Sequence, residues 1–436
     1  MINQNNGEKG MLTFKLERTV LFLLVFFSGI NFVYGQNHTK SISLDSLIQE
    51  AQKNNPAIKA AERRWRAALQ RPVQVSTLPD PMFSYVRFGS SVETRVGPQE
   101  NIFTLSQKIP FPGKLGLKGK MANQDALAAQ QNYEAVKRDV IFKVKTAYYD
   151  LYWIDQSIAI LEKYLLLLED FTRVAEQKYA TGQGIQANVL KSQVEISSTM
   201  ERKLGFEKMR QGVVARINAL LNRPEDSPLG KATTIDTTRL KLDEASLIQL
   251  ATREREELQA VQAMIGKSAF MKSLAKRHYF PDFNLQIKYV DVARGVSIAP
   301  DAGKNAWSVM FGLNLPIWLN KRSAAVNEAD ELLTANKLAY ENLLNQVKAE
   351  IKDYYYRLQI TEQTLELYEQ GLLTQAQSSL ESALASYRTG KLEFLSLLDA
   401  ERVLLNLNLG YVKEQANYRK QLAALERAVG GELSGF

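Results

Sequence analysis

The chain contains no cysteine. That excludes disulfide staples, thiolate metal sites and a cysteine nucleophile, and leaves no thiol for the lipid anchor of a bacterial lipoprotein. Histidine is almost as scarce, with only His38 and His278 among 436 residues. Neither a histidine-based triad nor a multi-histidine zinc site can be assembled from them. No Gly-rich loop followed by Lys-Ser/Thr is present to cradle a nucleotide phosphate, and no cofactor or bound metal is expected. The net charge of +8 is spread along the chain. No cluster of Lys and Arg with interleaved aromatics marks a nucleic-acid surface. Paired carboxylates such as Glu256-Glu257 arise freely on helical surfaces, and nothing else converges on them to suggest an enzyme.

Long hydrophobic runs are also missing. The N-terminus has the features of an export signal over residues 1–35: Lys15 and Arg18 precede the apolar run Val20 to Phe27, and Val33-Tyr34-Gly35 offers a cleavage site before Gln36. Met11 is a second candidate start. That run is too short to span a bilayer comfortably, and no later stretch approaches the 18 or more apolar residues of a transmembrane helix. The composition, 45% hydrophobic and 23% charged, is nevertheless that of a folded protein.

What the chain does have is periodicity. From Lys114 to Tyr179 no proline occurs and no glycine follows Gly119, and small or apolar residues step by fours and threes. They fall at Ala147, Leu151, Ile154, Ile158, Leu161, Leu165, Leu168, Thr172, Ala175 and Tyr179, a coiled-coil seam. A helix of this length reaches about 100 Å at about 1.5 Å per residue. The same seam recurs 207 residues later, at Tyr354, Leu358, Thr361, Leu365, Tyr368, Leu372, Gln375 and Ser379, inside a second uninterrupted segment from Lys321 to Tyr387. Other traces of duplication flank the rods: Ser46-Leu-Ile-Gln49 and Ser246-Leu-Ile-Gln249, Pro79-Asp80 and Pro281-Asp282, Tyr179-Ala-Thr-Gly182 and Tyr387-Arg-Thr-Gly390. The chain reads as two copies of one unit, residues 36–230 and 231–436.

Each copy adds the same further parts. One helix from about Leu44 to Leu78 opens the first. Strands are expected over about 82–88 and 101–109, then over about 284–291 and 308–315, with apolar residues alternating against polar ones. Such alternation suits a soluble sandwich or a membrane barrel with lipid outside and water inside. Four strands cannot close a barrel, so membrane strands would have to be pooled by several chains. Pro110-Phe-Pro-Gly113 and Pro316-Ile-Trp318 end the strands and begin the rods, and Phe111, Trp307 and Trp318 lie where membrane barrels carry aromatic belts. Each rod ends at Tyr-x-Thr-Gly, where the glycine permits a left-handed helix terminus, and returning helices follow from Ile185 to Asn222 and from Phe394 to Val429. The shorter helices should stack end to end beside the rod, which places both strand pairs at one end and both turns at the other.

In this order of parts the chain resembles the TolC-like outer-membrane efflux channel family, over nearly the whole mature length. The duplicated unit carries the resemblance, with the two Tyr-x-Thr-Gly turns and the second turn's continuation Leu397-Leu398-Asp399-Ala400. Pro110-Phe-Pro-Gly-Lys114 resembles the metal-exporting branch of the family. The resemblance implies a mostly α fold with a small β part: a homotrimeric 12-stranded outer-membrane β-barrel continued through the periplasm by a long α-helical barrel. It implies an exit duct that passively conducts small molecules or ions, with outer-membrane lipid, a periplasmic adaptor protein and an inner-membrane efflux transporter as partners. Tyr179, Thr181, Gly182, Tyr387, Thr389 and Gly390 would form the periplasmic tip that meets the adaptor, with Gly182 and Gly390 as hinges. Asp399 would ring the tunnel gate. A second gate aspartate of the family falls at Ser396 and a gate-holding arginine at Leu392, with Glu393 beside them. A soluble periplasmic coiled-coil adaptor is the alternative: it keeps the export signal and the rods but makes the strands a compact hairpin-rich domain.

Overall fold

The computed structural model describes residues 41–433, residue 237 excepted. The expected leader over residues 1–35 lies outside the described residues. Three short helices open the chain: α1 (Leu44–Asn54), α2 (Pro56–Ala68) and α3 (Arg71–Ser76). The single helix expected from Leu44 to Leu78 is therefore broken twice, and both breaks have a proline cause. Asn55 precedes Pro56, adopts ψ 125°, and turns its side chain into the cap of α2 by accepting from Ala57 N at 2.9 Å. Pro72 lies in the first turn of α3, where its missing N–H costs nothing.

Strands β1 (Met82–Val92) and β2 (Gln99–Ile109) lead into the rod α4 (Lys114–Ala180), and α5 (Gln186–Leu221) returns. The second round runs α6 (Glu244–Glu254), α7 (Glu256–Arg277), β3 (Phe283–Val292), β4 (Ala306–Leu313), α8 (Leu319–Leu367), a π-helical turn (Tyr368–Leu372), α9 (Leu373–Arg388) and α10 (Phe394–Val429). The strands extend beyond the expected spans toward their loops, except that β4 begins and ends two residues early. At 67 residues, α4 spans about 100 Å.

The helices pack along α4 in a fixed order. Near its start Gly119 lies against Ser76 of α3, and Ala128 packs on Ala260 and Ala263 of α7. Its middle, Val140 to Ile158, is buried with Leu47, Ala51 and Ile58 of the opening helices and with Val213 to Leu221 of α5. Its last third, Leu161 to Ala175, is buried against α9 and α10 through Leu380, Tyr387, Phe394, Leu398 and Leu405. The shorter helices do meet end to end. Asn55 Nδ2 donates to Leu220 O at 2.8 Å, joining the start of α2 to the end of α5, and Arg255 Nη1 donates to Ala428 O at 3.1 Å at the matching junction of the second round.

The second rod departs from expectation at one place. The seam holds through Leu358, Thr361 and Leu365, all buried, but Leu372, Gln375 and Ser379 are exposed while Ala376 and Leu380 are buried instead. A π turn closes on i+5 and so inserts one residue into an α-helix, which moves the buried face one position along. The sequence records the same insertion. Ala147 matches Tyr354 at an offset of 207, whereas Tyr179 matches Tyr387 at 208.

All four strands form one antiparallel sheet in the order β1-β2-β3-β4. Its register stacks Phe83, Leu105, Ile287 and Val309 in one row and Tyr85, Phe103, Tyr289 and Trp307 in the next. Gln107 with Leu285 and Phe311, and Ile109 with Phe283 and Leu313, continue the same face. The opposite face carries Ser84, Thr104, Lys288 and Ser308 in a row, and Asn284 with Lys108 and Gly312. This face is exposed except at Phe283 and Gln107, which are half-buried, and β1 and β4 are both unpaired edges.

Candidate functional site: the sheet, the rods and the tip

The sheet is pinned to the rods at its base. Lys114, the first residue of α4, is buried, and its Nζ donates to Asp282 Oδ1 at 2.8 Å and to Phe280 O at 2.9 Å. Asp282 Oδ1 also accepts from Phe111 N at 2.9 Å. One carboxylate just before β3 therefore fixes the corner between β2 and α4. Phe111 stacks on Phe280 with ring centroids 4.6 Å apart, and Phe283 stacks on Phe311 at 5.6 Å. Tyr85, Phe103 and Tyr289 form a second aromatic row nearer the loops, with centroid separations of 5.1 and 6.3 Å. Trp307 and Trp318 are both largely exposed and bracket the apolar band. An exposed apolar face about ten residues tall between aromatic rows matches the lipid-facing band of a membrane barrel.

At the far end of α4 the two Tyr-x-Thr-Gly turns have nearly identical geometry. Thr181 Oγ1 donates back to Gln177 O at 3.0 Å, and Thr389 Oγ1 to Ser386 O at 3.1 Å, so each threonine satisfies a carbonyl that the ending helix leaves open. Gln183 N donates to Lys178 O at 2.8 Å and Lys391 N to Ser386 O at 2.9 Å, the six-to-one bond of a Schellman ending. Gly182 and Gly390 take φ of +73° and +76°, and an added Cβ would meet nothing at either site. The glycines are needed for their backbone angle, not for space.

The tyrosines are not equivalent. Tyr387 is 4% exposed and packs on Phe394 at 5.4 Å, whereas Tyr179 is 50% exposed. Lys178 Nζ donates to Tyr387 O at 2.7 Å and lies 4.7 Å from the centre of its ring. The fold thus brings both turns to one end and joins them.

Glu393, Ser396 and Asp399 are exposed and spaced by threes, so they share one open face at the start of α10. Glu393 is the N-cap residue but makes no side-chain capping bond. The Asp399 carboxylate lies 3.8 Å from Arg402, an exposed i,i+3 pair worth little in energy. Leu392 is half-buried and packs on the leucine cluster below, away from that face.

Glu401 and Tyr164 are functional candidates that the seam periodicity alone passes over. Both are buried between α4 and α10, and neither the Glu401 carboxylate nor the Tyr164 hydroxyl has a hydrogen-bond partner. A signal was present. Phe394, Leu398, Glu401, Leu405 and Leu409 step by fours and threes, which puts a glutamate on an otherwise apolar seam.

A buried polar belt holds the middle of the chain. Asp155 accepts from Arg210 Nε at 2.7 Å and from Ala232 N at 2.9 Å, and Arg210 donates onward to Gly230 O at 2.9 Å. Tyr148 Oη donates to Thr234 O at 2.8 Å. These bonds tie the segment around residues 230–234 to α4 and α5. Among the described residues no three His, Cys, Asp or Glu side chains gather as a metal site, and no helix is long and apolar enough to cross a membrane.

A sheet with an exposed apolar face, carried on paired rods about 100 Å long, defines the class as a membrane channel protein with a long helical extension. Comparison with known proteins gives the family. The outer membrane efflux protein family pattern matches residues 47–223 and 247–431. The cation efflux system protein CusC of Escherichia coli O6:H1 is 22% identical over 406 residues, 91% of this chain and 86% of the relative. The cobalt-zinc-cadmium resistance protein CzcC of Cupriavidus metallidurans is 18% identical over 448 residues, 94% of this chain and 98% of the relative. A crystal structure of CusC superposes with a TM-score of 0.76 at 19% identity, covering 89% of this chain and 92% of that one. The chain belongs to the outer membrane efflux protein family. It is a passive outer-membrane efflux channel that extends into the periplasm, not an enzyme, and the soluble adaptor reading gives way to it.

Proposed function

We propose that three copies of this chain pool their sheets into one 12-stranded barrel and their rods into a continuous periplasmic tunnel. The observation that carries this reading is the four-stranded sheet itself: its outer face is apolar and exposed, and both of its edges lack partners. Lipid does not tolerate open edges, so each β4 must pair with the β1 of a neighbouring copy. Each copy contributes two repeats that meet near residue 230.

At the other end, the turns around Tyr179-Thr181-Gly182 and Tyr387-Thr389-Gly390 form the surface met by a periplasmic adaptor, which links the duct to an energised inner-membrane transporter. Glu393, Ser396 and Asp399 face the tunnel mouth. Three copies of Asp399 around one axis repel anions and favour cations at the constriction. A metal cation is the cargo we infer, on the strength of the relatives' cation-efflux and metal-resistance names.

Fractionation of the expressed protein followed by light scattering in detergent tests the assembly. The expected result is outer-membrane material with the mass of three chains. A soluble monomer or dimer would refute it. For the cargo, a strain lacking the channel should become sensitive to one or more of cobalt, zinc and cadmium salts; unchanged tolerance to all of them would exclude these metals.

A further inference from the structure

The contact between α4 and α10 close to the tip contains two polar groups that nothing answers. Glu401 is 1% exposed, and neither carboxylate oxygen has a hydrogen-bond partner; Tyr164, 6% exposed, has an unpartnered hydroxyl. Around them lie Leu161, Leu168, Leu397, Leu398 and Leu405, all buried. The charged and titratable groups around this pair come from three helices: Glu195 on α5 and Arg402 on α10 act on Glu401, and Tyr164 on α4 is acted on by Glu401, Glu195, Arg402 and by Arg202 of α5. The two among these that could offer it positive charge are otherwise engaged, Arg402 with Glu195 and Arg202 with Asn406 Oδ1 at 3.2 Å.

An ionised carboxylate in such a place is costly, because it has lost water and gained neither a donor nor a counter-ion. The neutral acid is far easier to bury. Burial first, and the Glu195 charge second, push the Glu401 carboxyl up to about 8, with Arg402 opposing. The carboxylate becomes comfortable only if water reaches it, and water reaches it only if α10 moves off α4.

We propose that Glu401 is a proton-operated latch of the tip: the neutral acid lets α10 lie against Tyr164 of α4, and release of its proton to water drives the two helices apart there. The latch works inside the tunnel wall and is separate from the open face that carries Asp399. It rests on the reading of this end as the tunnel mouth. Phe394, at the start of α10, packs on Tyr387, so a displacement of α10 is passed to the turn. Acid therefore favours the closed contact and alkali the parted one.

The experiment compares the full-length channel with Glu401→Gln, which mimics the neutral acid in shape and charge, at about pH 6 and about pH 9. Amide exchange of residues 160–168 and 395–409, corrected for the intrinsic pH effect, reports the contact. In the wild type, protection should fall by about tenfold or more at the higher pH, and in Glu401→Gln it should not fall. The infrared band of a protonated carboxyl should disappear over the same interval in the wild type and be missing from the variant. Equal protection at both pH values in the wild type, the same loss in Glu401→Gln, or a carboxyl that is already ionised at about pH 6 would each overturn the latch. Conductance in planar bilayers separates this from the channel reading. If exchange and infrared behave as expected but neither protein conducts at any pH, the duct fails and the latch stands. If both conduct with no pH dependence while exchange changes, the latch does not govern opening and that part of the proposal falls.

Discussion

Lys178 of the first rod holds Tyr387 of the second, its Nζ donating to the tyrosine carbonyl at 2.7 Å while lying over the ring at 4.7 Å. This is the direct tie between the two turns, and it sits two residues before the end of α4. The carbonyl belongs to the end of a helix, where the partial negative charge favours a cation. Lys178→Met keeps the stem and removes the charge, and it should loosen the tip by about 1 kcal/mol, the sum of a modest hydrogen bond and a half-exposed cation–π contact. Protease nicking at residues 388–392 checks this: the variant should be cut several-fold faster there while the sheet end is unaffected.

Much of the architecture was legible because it is written in repetition. The rods, their approximate ends, the returning helices and the four strands all followed from period and punctuation. Asn55-Pro56 was also readable, since the residue before proline avoids the helical region, but the continuing apolar pattern masked it. The π turn was not readable in one copy alone, because the local sequence Tyr368-Glu-Gln-Gly-Leu372 contains no helix-breaking proline and hydrophobic steps of three and four do not reveal an added residue. Only the change of offset from 207 to 208 exposes it. At the tip, residue types identified the turns, but the burial of Tyr387 beside an exposed Tyr179 depends on which rod lies inside which, and no local pattern encodes that.

The inserted residue makes its own prediction. Deleting Gly371 should convert the π turn to ordinary helix and restore the 207-residue offset throughout, so the chain should still fold and keep its helix content. Deleting Leu168 from the first rod, where no π turn stands ready to absorb the change, should rotate the Phe171 and Ala175 side of the seam by about 100° and expose it. Circular dichroism melts should separate the two deletions, with the first near the wild type and the second strongly destabilised.

The sheet's two faces should respond oppositely to the same substitution. Val309 and Ser308 are neighbours on β4, paired with Ile287 and Lys288, and they point to opposite faces. An arginine at position 309 enters lipid and costs about 2–4 kcal/mol near the bilayer midplane, multiplied over every copy in the assembly. An arginine at 308 instead joins Ser84, Thr104 and Lys288 in the row on the opposite face. Val309→Arg should therefore abolish outer-membrane assembly, seen as loss of the oligomer band in sedimented membranes, while Ser308→Arg assembles normally and alters conductance alone.

Glu401 gives the stability of the tip an unusual pH slope. An ordinary paired carboxylate has a depressed folded-state pKa and adds stability as pH rises; Glu401 does the reverse. Its unfolded value of 4.5 is raised to about 8 by burial and by Glu195. Between those two values the unfolded chain has released the proton and the folded chain has kept it, so stability is greatest below 4.5, declines as pH climbs toward about 8, and is level beyond. At about 1.4 kcal/mol for each pH unit separating the folded and unfolded values, the loss is on the order of 5 kcal/mol at the most. Glu401→Met fills the same seam position without an ionisable group or an orphaned oxygen. It should be as stable as the wild type in acid and more stable by about 2–4 kcal/mol in mild alkali, with the slope removed. Denaturant titrations at a series of pH values from about 5 to about 9 measure both curves directly. Parallel curves would mean that the carboxyl is hydrated in the closed state, and that the contact between α4 and α10 is looser than the buried Tyr164 and Glu401 side chains indicate.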